Sequence, residues 1–316
     1  PESGRHLARR RGGVVVTVGL ASVGARRRAL AYLELTKPRI SLLVMVTAVP
    51  ALLLAAGGFP DPLVFWGTLA GTMIAAGSAA SFNHYVDRDI DALMRRTAAR
   101  PLPSGVLPPH HALVVGFALA LLAWGTLVLC ANTLAAVIAM ASIVYYAVIY
   151  SKWLKRRTPQ NIVIGGAAGA SAPLVAWAAV SGRVDLPAVL LAAIVFLWTP
   201  PHFWALSLYR RDDYLRANLP MLPVTHGEDE TRRQILLYSL VMVTVTLAVA
   251  PLGGSGPLYV LPAAALGGLF IYYAARLRRA ASTQHAVRLF RYSILYLFLL
   301  FVFLAADVAV RTLGGA

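Results

Sequence analysis

Apolar runs long enough to cross a bilayer decide what this chain can become. About nine are readable: Ile40–Gly57, Leu63–Phe82, Ala112–Ala131, Thr133–Tyr150, Ile162–Val180, Pro187–Leu206, Ile235–Leu252, Leu258–Ala274 and Tyr292–Val310. A transmembrane helix needs about 20 predominantly apolar residues. The runs are continuously apolar rather than alternating, which is not the pattern of a β-barrel. Clusters such as "GGFPDP", "PLPSGVLPP", "SGRVDLP" and "PLGGSGP" separate them, and Gly/Pro clusters make turns. The chain is 59% hydrophobic and 13% charged, against about 25% charged in ordinary globular chains. The expected fold class is all-α, a polytopic membrane protein of about nine transmembrane helices in one domain over 36–316. Residues 1–35 are expected to form a basic, flexible cytoplasmic tail. Its run "VVVTVGLASV" is too short to span, and "ARRR" stands near its end where a signal peptide carries a small-residue cleavage site.

The net charge of +16 looks at first like that of a nucleic-acid binder, but its distribution argues otherwise. Of 29 Lys and Arg, 27 precede the first run or sit in every second connection, and only Arg183 and Arg311 fall on the other side. Positive charge stays with the cytoplasmic face, so the N-terminus is expected inside and the C-terminus outside. Membrane lipids with anionic headgroups are then the partners of this charge, and no nucleic acid is needed. Cys130 is the single cysteine. It excludes an internal disulfide and a Cys-rich metal site, and is expected to act as a small buried hydrophobe.

Against this oily background stands "SFNHYVDRDIDALMRRT", Ser81 to Thr97. Asn83, Asp87 and Asp91 are spaced i, i+4, i+8, which puts them on one stripe of a helix. That helix is expected to run to about Arg96, because Pro101 and Pro103 follow. Asp89 falls on the opposite side with Arg88. Like charges four apart disfavour a helix by about 0.2–0.5 kcal/mol, and an Asp costs up to about 2.5–3.5 kcal/mol at the centre of a span. Mg²⁺ compensates such a stripe, since it takes one or two carboxylates and completes its shell with water and phosphate oxygens. The competing reading is an interfacial helix end neutralised by Arg88, Arg95 and Arg96.

A second acidic pair, Asp212 and Asp213, lies in "HFWALSLYRRDDYLRANLPMLPV" after the sixth run. Four spans separate the two clusters, which hints at an internal duplication with a metal diphosphate held between helix pairs. The plainer reading is a charged amphipathic loop. Between them, "YYAVIYSKWLKRRTPQN" supplies Lys152, Lys155, Arg156 and Arg157. Lys152, following Tyr150 and Ser151 at the end of a span, is the expected phosphate contact; positive-inside charge accounts for the others.

Taken together, "NHYVDRDIDALMRRT", "RPLPSG", "YSKWLKRRTPQNIVIGGAAGA", "WTPPHFW" and "DDYLRANLPMLPV" resemble the UbiA-type intramembrane prenyltransferases, and among them the haem-farnesylating branch. The resemblance runs from about Thr36 to Val310. It implies nine helices around a central cavity under a cap of cytoplasmic loops, in a bacterial-type plasma membrane, with the site at the cytoplasmic face. It implies transfer of a farnesyl group from farnesyl diphosphate to a vinyl group of haem B with addition of water. The products are haem O and diphosphate, and haem O is passed on toward haem A, with haem A synthase as a partner. Haem B is thus a substrate, and Mg²⁺ the cofactor.

In that reading Asp87, Asp91 and Asp213 hold the metal and Asn83 orients a ligand. Lys152 and Arg96 add positive charge at the diphosphate, and Arg88, Ser151 and Asp212 are expected to bind substrate. Tyr146 and Tyr150, beside Tyr145, shelter an allylic cation, although an interfacial aromatic belt would place tyrosines there too. His202 is a haem contact if Pro200 and Pro201 break their helix and open a cavity wall; otherwise it is a hydrogen-bonded structural histidine. One departure is plain. Asp212 and Asp213 are adjacent, and Ala217 stands four residues after Asp213, where relatives with a full second motif carry another carboxylate. Two rivals remain: a prenyltransferase for an aromatic, quinone-type acceptor, and a transporter, whose acids would sit nearer the membrane midplane.

Overall fold

The computed structural model describes residues 24–314, apart from the side chain of Arg39. Of the expected tail, 1–23 lies outside the described residues. Residues Ala25–Leu35 are a helix, α1, where flexible chain is expected. It buries Ala31 and Leu35 against Leu102, Val106, Leu107 and Ala112, which supplies the packing that a short helix needs.

The remaining helices follow in order: α2 (Pro38–Ala56), α3 (Pro62–Leu93), α4 (Pro109–Cys130), α5 (Thr133–Val144), α6 (Asn161–Gly169), α7 (Ser171–Ser181), α8 (Leu186–Tyr209), α9 (Arg211–Arg216), α10 (Leu222–Thr225), α11 (Gly227–Gly253), α12 (Pro257–Ala280) and α13 (Thr283–Gly314). Eight of the resulting spans are long and apolar enough to cross a membrane, and α1 with α2, joined through a 42° bend, makes a ninth candidate. In-sequence neighbours pack side by side, and α13 returns to pack on both α2 and α8. The helices therefore close on themselves, with α3 reaching α2, α4, α5 and α7.

Without water to exclude, helices in lipid hold together by close packing and small residues. The α3–α4 pair shows this. A Cβ added to Gly67 would lie 2.2 Å from the Cβ of Cys130, and one added to Gly71 would lie 2.6 Å from Cγ of Leu127. Cys130 thus acts as packing, partly buried rather than buried as expected. Nearer the C-terminal end of α3, Ser78 Oγ donates to the carbonyl of Gly116 at 2.7 Å.

Three departures from expectation bear on the site. First, α3 stops at Leu93, short of Arg96, and Met94 is extended. The chain folds back because Thr97 Oγ1 donates to the Asp91 carbonyl at 2.9 Å, satisfying an acceptor that a helix end leaves open. Second, the span begun by α5 continues as a π-helix over Tyr145–Leu154, with the Lys155 N–H donating to the Tyr150 carbonyl at 2.9 Å. Single π turns are rare and gather at functional sites. Third, α8 runs unbroken through Pro200 and Pro201, and both prolines are buried in packed protein, where membrane helices tolerate proline.

Candidate active site

The C-terminal end of α3 turns the acid stripe into the protein. Asn83, Asp87 and Asp91 are 3%, 1% and 1% exposed. The i, i+4, i+8 spacing therefore faces protein rather than lipid. Asp89, on the other side, is exposed and paired with Arg156 at 2.6 Å, as its position predicts.

Two buried carboxylates four residues apart need compensation, and it comes from elsewhere in the chain. Lys155 Nζ lies 2.5 Å from Asp87 Oδ2. Arg100, on the loop that folds back under Thr97, lies 2.7 Å from Asp91 Oδ2. Asn83 Nδ2 donates to Asp87 Oδ2 at 2.7 Å and to Ser151 Oγ at 2.9 Å. Its Oδ1 accepts from Lys37 Nζ at 2.6 Å. The Oδ1 atom of Asp87 is buried and has no hydrogen-bond partner.

The π-helix decides which basic residue enters. Its i→i+5 winding buries Ser151 completely and brings Lys155 to Asp87. Lys152, the expected phosphate contact, is exposed. On the same segment Tyr146 and Tyr150 stack at 5.4 Å between ring centroids, and Tyr150 lies over Gly165, where an added Cβ would come within 2.4 Å of the ring.

Of the second acidic pair, Asp213 is buried and Asp212 exposed. Asp213 Oδ1 accepts from the backbone N–H of Arg95 at 3.3 Å, which ties α9 to the chain just past α3. Arg216, one turn on, holds the same oxygen. Next to it, burial pushes the Tyr214 hydroxyl up from its ordinary pKa.

The expected three-carboxylate metal set is not drawn together. Among the described residues no three His, Cys, Asp or Glu form a group that could hold a metal ion. The physical reason is visible: Asp213 is engaged by Arg95 and Arg216, while Asp87 and Asp91 are engaged by Lys155 and Arg100. Mg²⁺ is nonetheless satisfied by one or two carboxylates plus phosphate oxygens and water. The α3 pair, with the orphaned Asp87 oxygen, fits that demand.

Other expected site residues stand apart. Arg88 is exposed and turns back to the Tyr85 carbonyl at 2.6 Å. Arg96 is exposed, and Arg100 takes the place on Asp91 expected of a cation from this stretch. His202 is buried on α8, packed between Trp198 and Phe290 at 4.3 and 4.6 Å between centroids. Its Nδ1 bonds Ser293 Oγ at 2.7 Å, so its ring joins α8 to α13. Lys37 is absent from the sequence expectations. Its signal would have been the Lys-Pro at a helix start, which looks like ordinary positive-inside charge.

The chain matches the UbiA prenyltransferase family over residues 44–305. It is 50% identical over 277 residues to a protein of Roseiflexus sp. (strain RS-1) named protoheme IX farnesyltransferase, covering 87% of this chain and 52% of that one. The chain thus spans about half the length of that relative. It is 48% identical over 289 residues to a protein of the same name from Azotobacter vinelandii (strain DJ / ATCC BAA-1303), covering 91% of this chain and 96% of that one. In fold it resembles a digeranylgeranylglyceryl phosphate synthase structure at a TM-score of 0.74 with 19% identity, covering 89% and 99% of the two chains. It also resembles a UbiA homolog from Archaeoglobus fulgidus bound to DMAPP and Mg²⁺, at 0.59 and 15%, covering 86% and 99%. A family match over most of the chain, relatives about half identical in sequence and a shared helical fold make this chain a member of the UbiA prenyltransferase family.

Proposed function

We propose that this protein transfers the farnesyl group of farnesyl diphosphate to a vinyl group of haem B, with addition of water, giving haem O and diphosphate. The observation that carries the reading is the 48–50% identity to proteins named protoheme IX farnesyltransferase, in a chain whose buried acids and cations suit a metal diphosphate.

Asp87 and Asp91 are the residues that would hold Mg²⁺. When bound, Mg²⁺ supplies positive charge against the negative charge that develops on the leaving diphosphate. Lys155 and Arg100 already stand at the stripe and donate to phosphate oxygens as charge-assisted partners. Asn83, held in turn by Ser151, fixes the Asp87 carboxylate. Asp213 holds the loop after α3 through Arg95 and so closes the cytoplasmic side. The faces of Tyr146 and Tyr150 shelter the allylic cation that forms as the carbon–oxygen bond loosens, and exclusion of water protects it. The vinyl π-bond attacks that carbon, and water captures the resulting cation with loss of a proton. A vinyl group needs no strong base for activation, in keeping with a site of Asp, Lys, Arg and Tyr.

The charge distribution supports a cytoplasmic site and N-terminus with the C-terminus outside. The test is purified protein with haem B and farnesyl diphosphate, with and without a chelator. Haem O and diphosphate formed only with Mg²⁺ is the expected result. Prenylation of a quinone precursor in preference to haem B, or substrate flux without turnover, would overturn it.

A further inference from the structure

Lys37 sits at the bend between α1 and α2 in a left-handed conformation, φ 48° and ψ 57°. Only two other non-glycine residues among those described, Asn218 and Ala281, have positive φ. The left-handed region is unfavourable for a side chain with a Cβ. Glycine would make the same bend without strain, so the bend alone gives no reason for lysine. The side chain does: its Nζ reaches across to α3 and donates to Asn83 Oδ1 at 2.6 Å. Strain held in place at such a position is a pointer to function.

The chemistry of Asn83's partners gives that contact its meaning. An ammonium only donates, and an ionised carboxylate only accepts. Asn83 is wedged between one of each. With Oδ1 toward Lys37, its Nδ2 donates to Asp87 Oδ2 at 2.7 Å and to Ser151 Oγ at 2.9 Å. Turned over by 180° about its last bond, the carboxamide would press its NH₂ against the Lys37 ammonium and its oxygen against the Asp87 carboxylate. Both contacts are repulsive. Without Lys37, only the Asp87 side would set the amide, and Ser151 accepts or donates with equal ease.

We propose that Lys37 is a positioning residue: its ammonium locks the Asn83 carboxamide so that both amide hydrogens serve Asp87 and Ser151. It touches neither the substrate nor the reacting atoms. It acts through Asn83 on the aim of the Asp87 carboxylate, whose other oxygen is buried and without a hydrogen-bond partner. The inference rests on the reading of Asp87 as a metal-diphosphate ligand.

The test combines Lys37→Met, Lys37→Arg, Lys37→Gly and Asn83→Ala, with binding of an unreactive farnesyl diphosphate analogue plus Mg²⁺ by calorimetry, and kcat and KM, as readouts. Loss of an outer partner of a metal ligand lowers affinity or activity by about 10–100-fold, and Lys37→Met is expected in that range, with Lys37→Arg partly restored. Lys37→Gly is expected to lose binding equally while melting no lower than wild type, which separates the role from folding. In the Asn83→Ala background, Lys37→Met is expected to add no more than about twofold, the scatter of sites without further coupling. Multiplying losses in the double variant would place Lys37 on the substrate directly and overturn the proposal, as would wild-type binding in Lys37→Met. Failure of the wild type itself to bind the analogue with Mg²⁺ would instead bring down the metal-diphosphate reading on which it rests.

Discussion

Asp87 and Asp91 of α3 and Asp212 and Asp213 of α9 are both two-residue acidic sets, yet they are built in opposite ways. On α3 the spacing is four, and both carboxylates are buried on one stripe of a 32-residue helix. Their cations come from separate segments: Lys155 from the π-helix and Arg100 from the loop beyond. On α9 the spacing is one. Neighbouring residues on a helix point about 100° apart, so only Asp213 turns inward, and its cation is its own neighbour Arg216. Partners drawn from distant segments fix a carboxylate as firmly as the fold itself. A partner one turn away on a six-residue helix fixes it only locally. In the proposed reading the first set is the frame that would hold the metal, and the second is a latch that joins the loop after α3.

The sharpest way to break this contrast is to neutralise the frame. Asp87→Asn and Asp91→Asn should each lower turnover by at least about 100-fold, the scale on which one preorganised electrostatic group acts. The proteins should still fold, because asparagine keeps the shape and the cations left behind, Lys155 and Arg100, are themselves partly exposed. Haem O formation and diphosphate release measure the loss; full activity in either variant would take the metal role away from α3.

The latch should respond less and asymmetrically. Asp213→Asn is expected to lose about 10–100-fold, as supporting groups around a metal site do, and to raise KM for farnesyl diphosphate more than it lowers kcat. Asp212→Asn should leave stability within about 0.5 kcal/mol, as exposed substitutions do, with turnover unchanged. Equal losses at the two positions would mean that α9 reorients on substrate binding.

How far the chain could be read shows in the same two regions. The spans, the small-residue packing at Cys130 and the inward stripe at Asp87 and Asp91 follow from hydropathy and from α-helical period, both carried by local sequence. The choice of Asp213 over Asp212 came from resemblance, not from spacing. The partners of the acids were mostly illegible. Lys152 is the natural choice on an α-helix, and the π winding that brings Lys155 forward leaves no mark in composition. The end of α3 at Leu93 depends on a hydroxyl, Thr97, folding back from outside the helix. Pro200 and Pro201 read as a break, and α8 absorbs both within packed protein. Side chains that meet across long sequence separations are set by packing, and one sequence does not display them.

Lys155 and Lys152 then test whether the winding matters. Lys155→Met removes a proposed phosphate partner and should raise KM for farnesyl diphosphate by about 10-fold or more, since a hydrogen bond to a charged group is worth about 1.5–3 kcal/mol, with Lys155 itself partly exposed. Lys152→Met should leave KM unchanged. The reverse order would return the phosphate contact to the α-helical register.

The smallest effect expected is also the most local. An alanine Cβ at Gly165 would meet the Tyr150 ring at 2.4 Å, while one at Gly268 of α12 meets nothing within 4 Å. Gly165→Ala must push the ring and the π-helix that carries it, at about 1–3 kcal/mol for overpacking. Gly268→Ala should be neutral or raise stability by up to about 1 kcal/mol through helix propensity. Thermal melting in detergent measures both. Because Tyr150 precedes Ser151 and lies five residues before Lys155, the Gly165 variant should also disturb the frame on α3, seen as a raised KM for farnesyl diphosphate. It should leave alone the latch on α9, so that Asp213→Asn in its background costs the same factor as in the wild type. A change in that factor would show that the two acid sets share one mechanical unit through the π-helix.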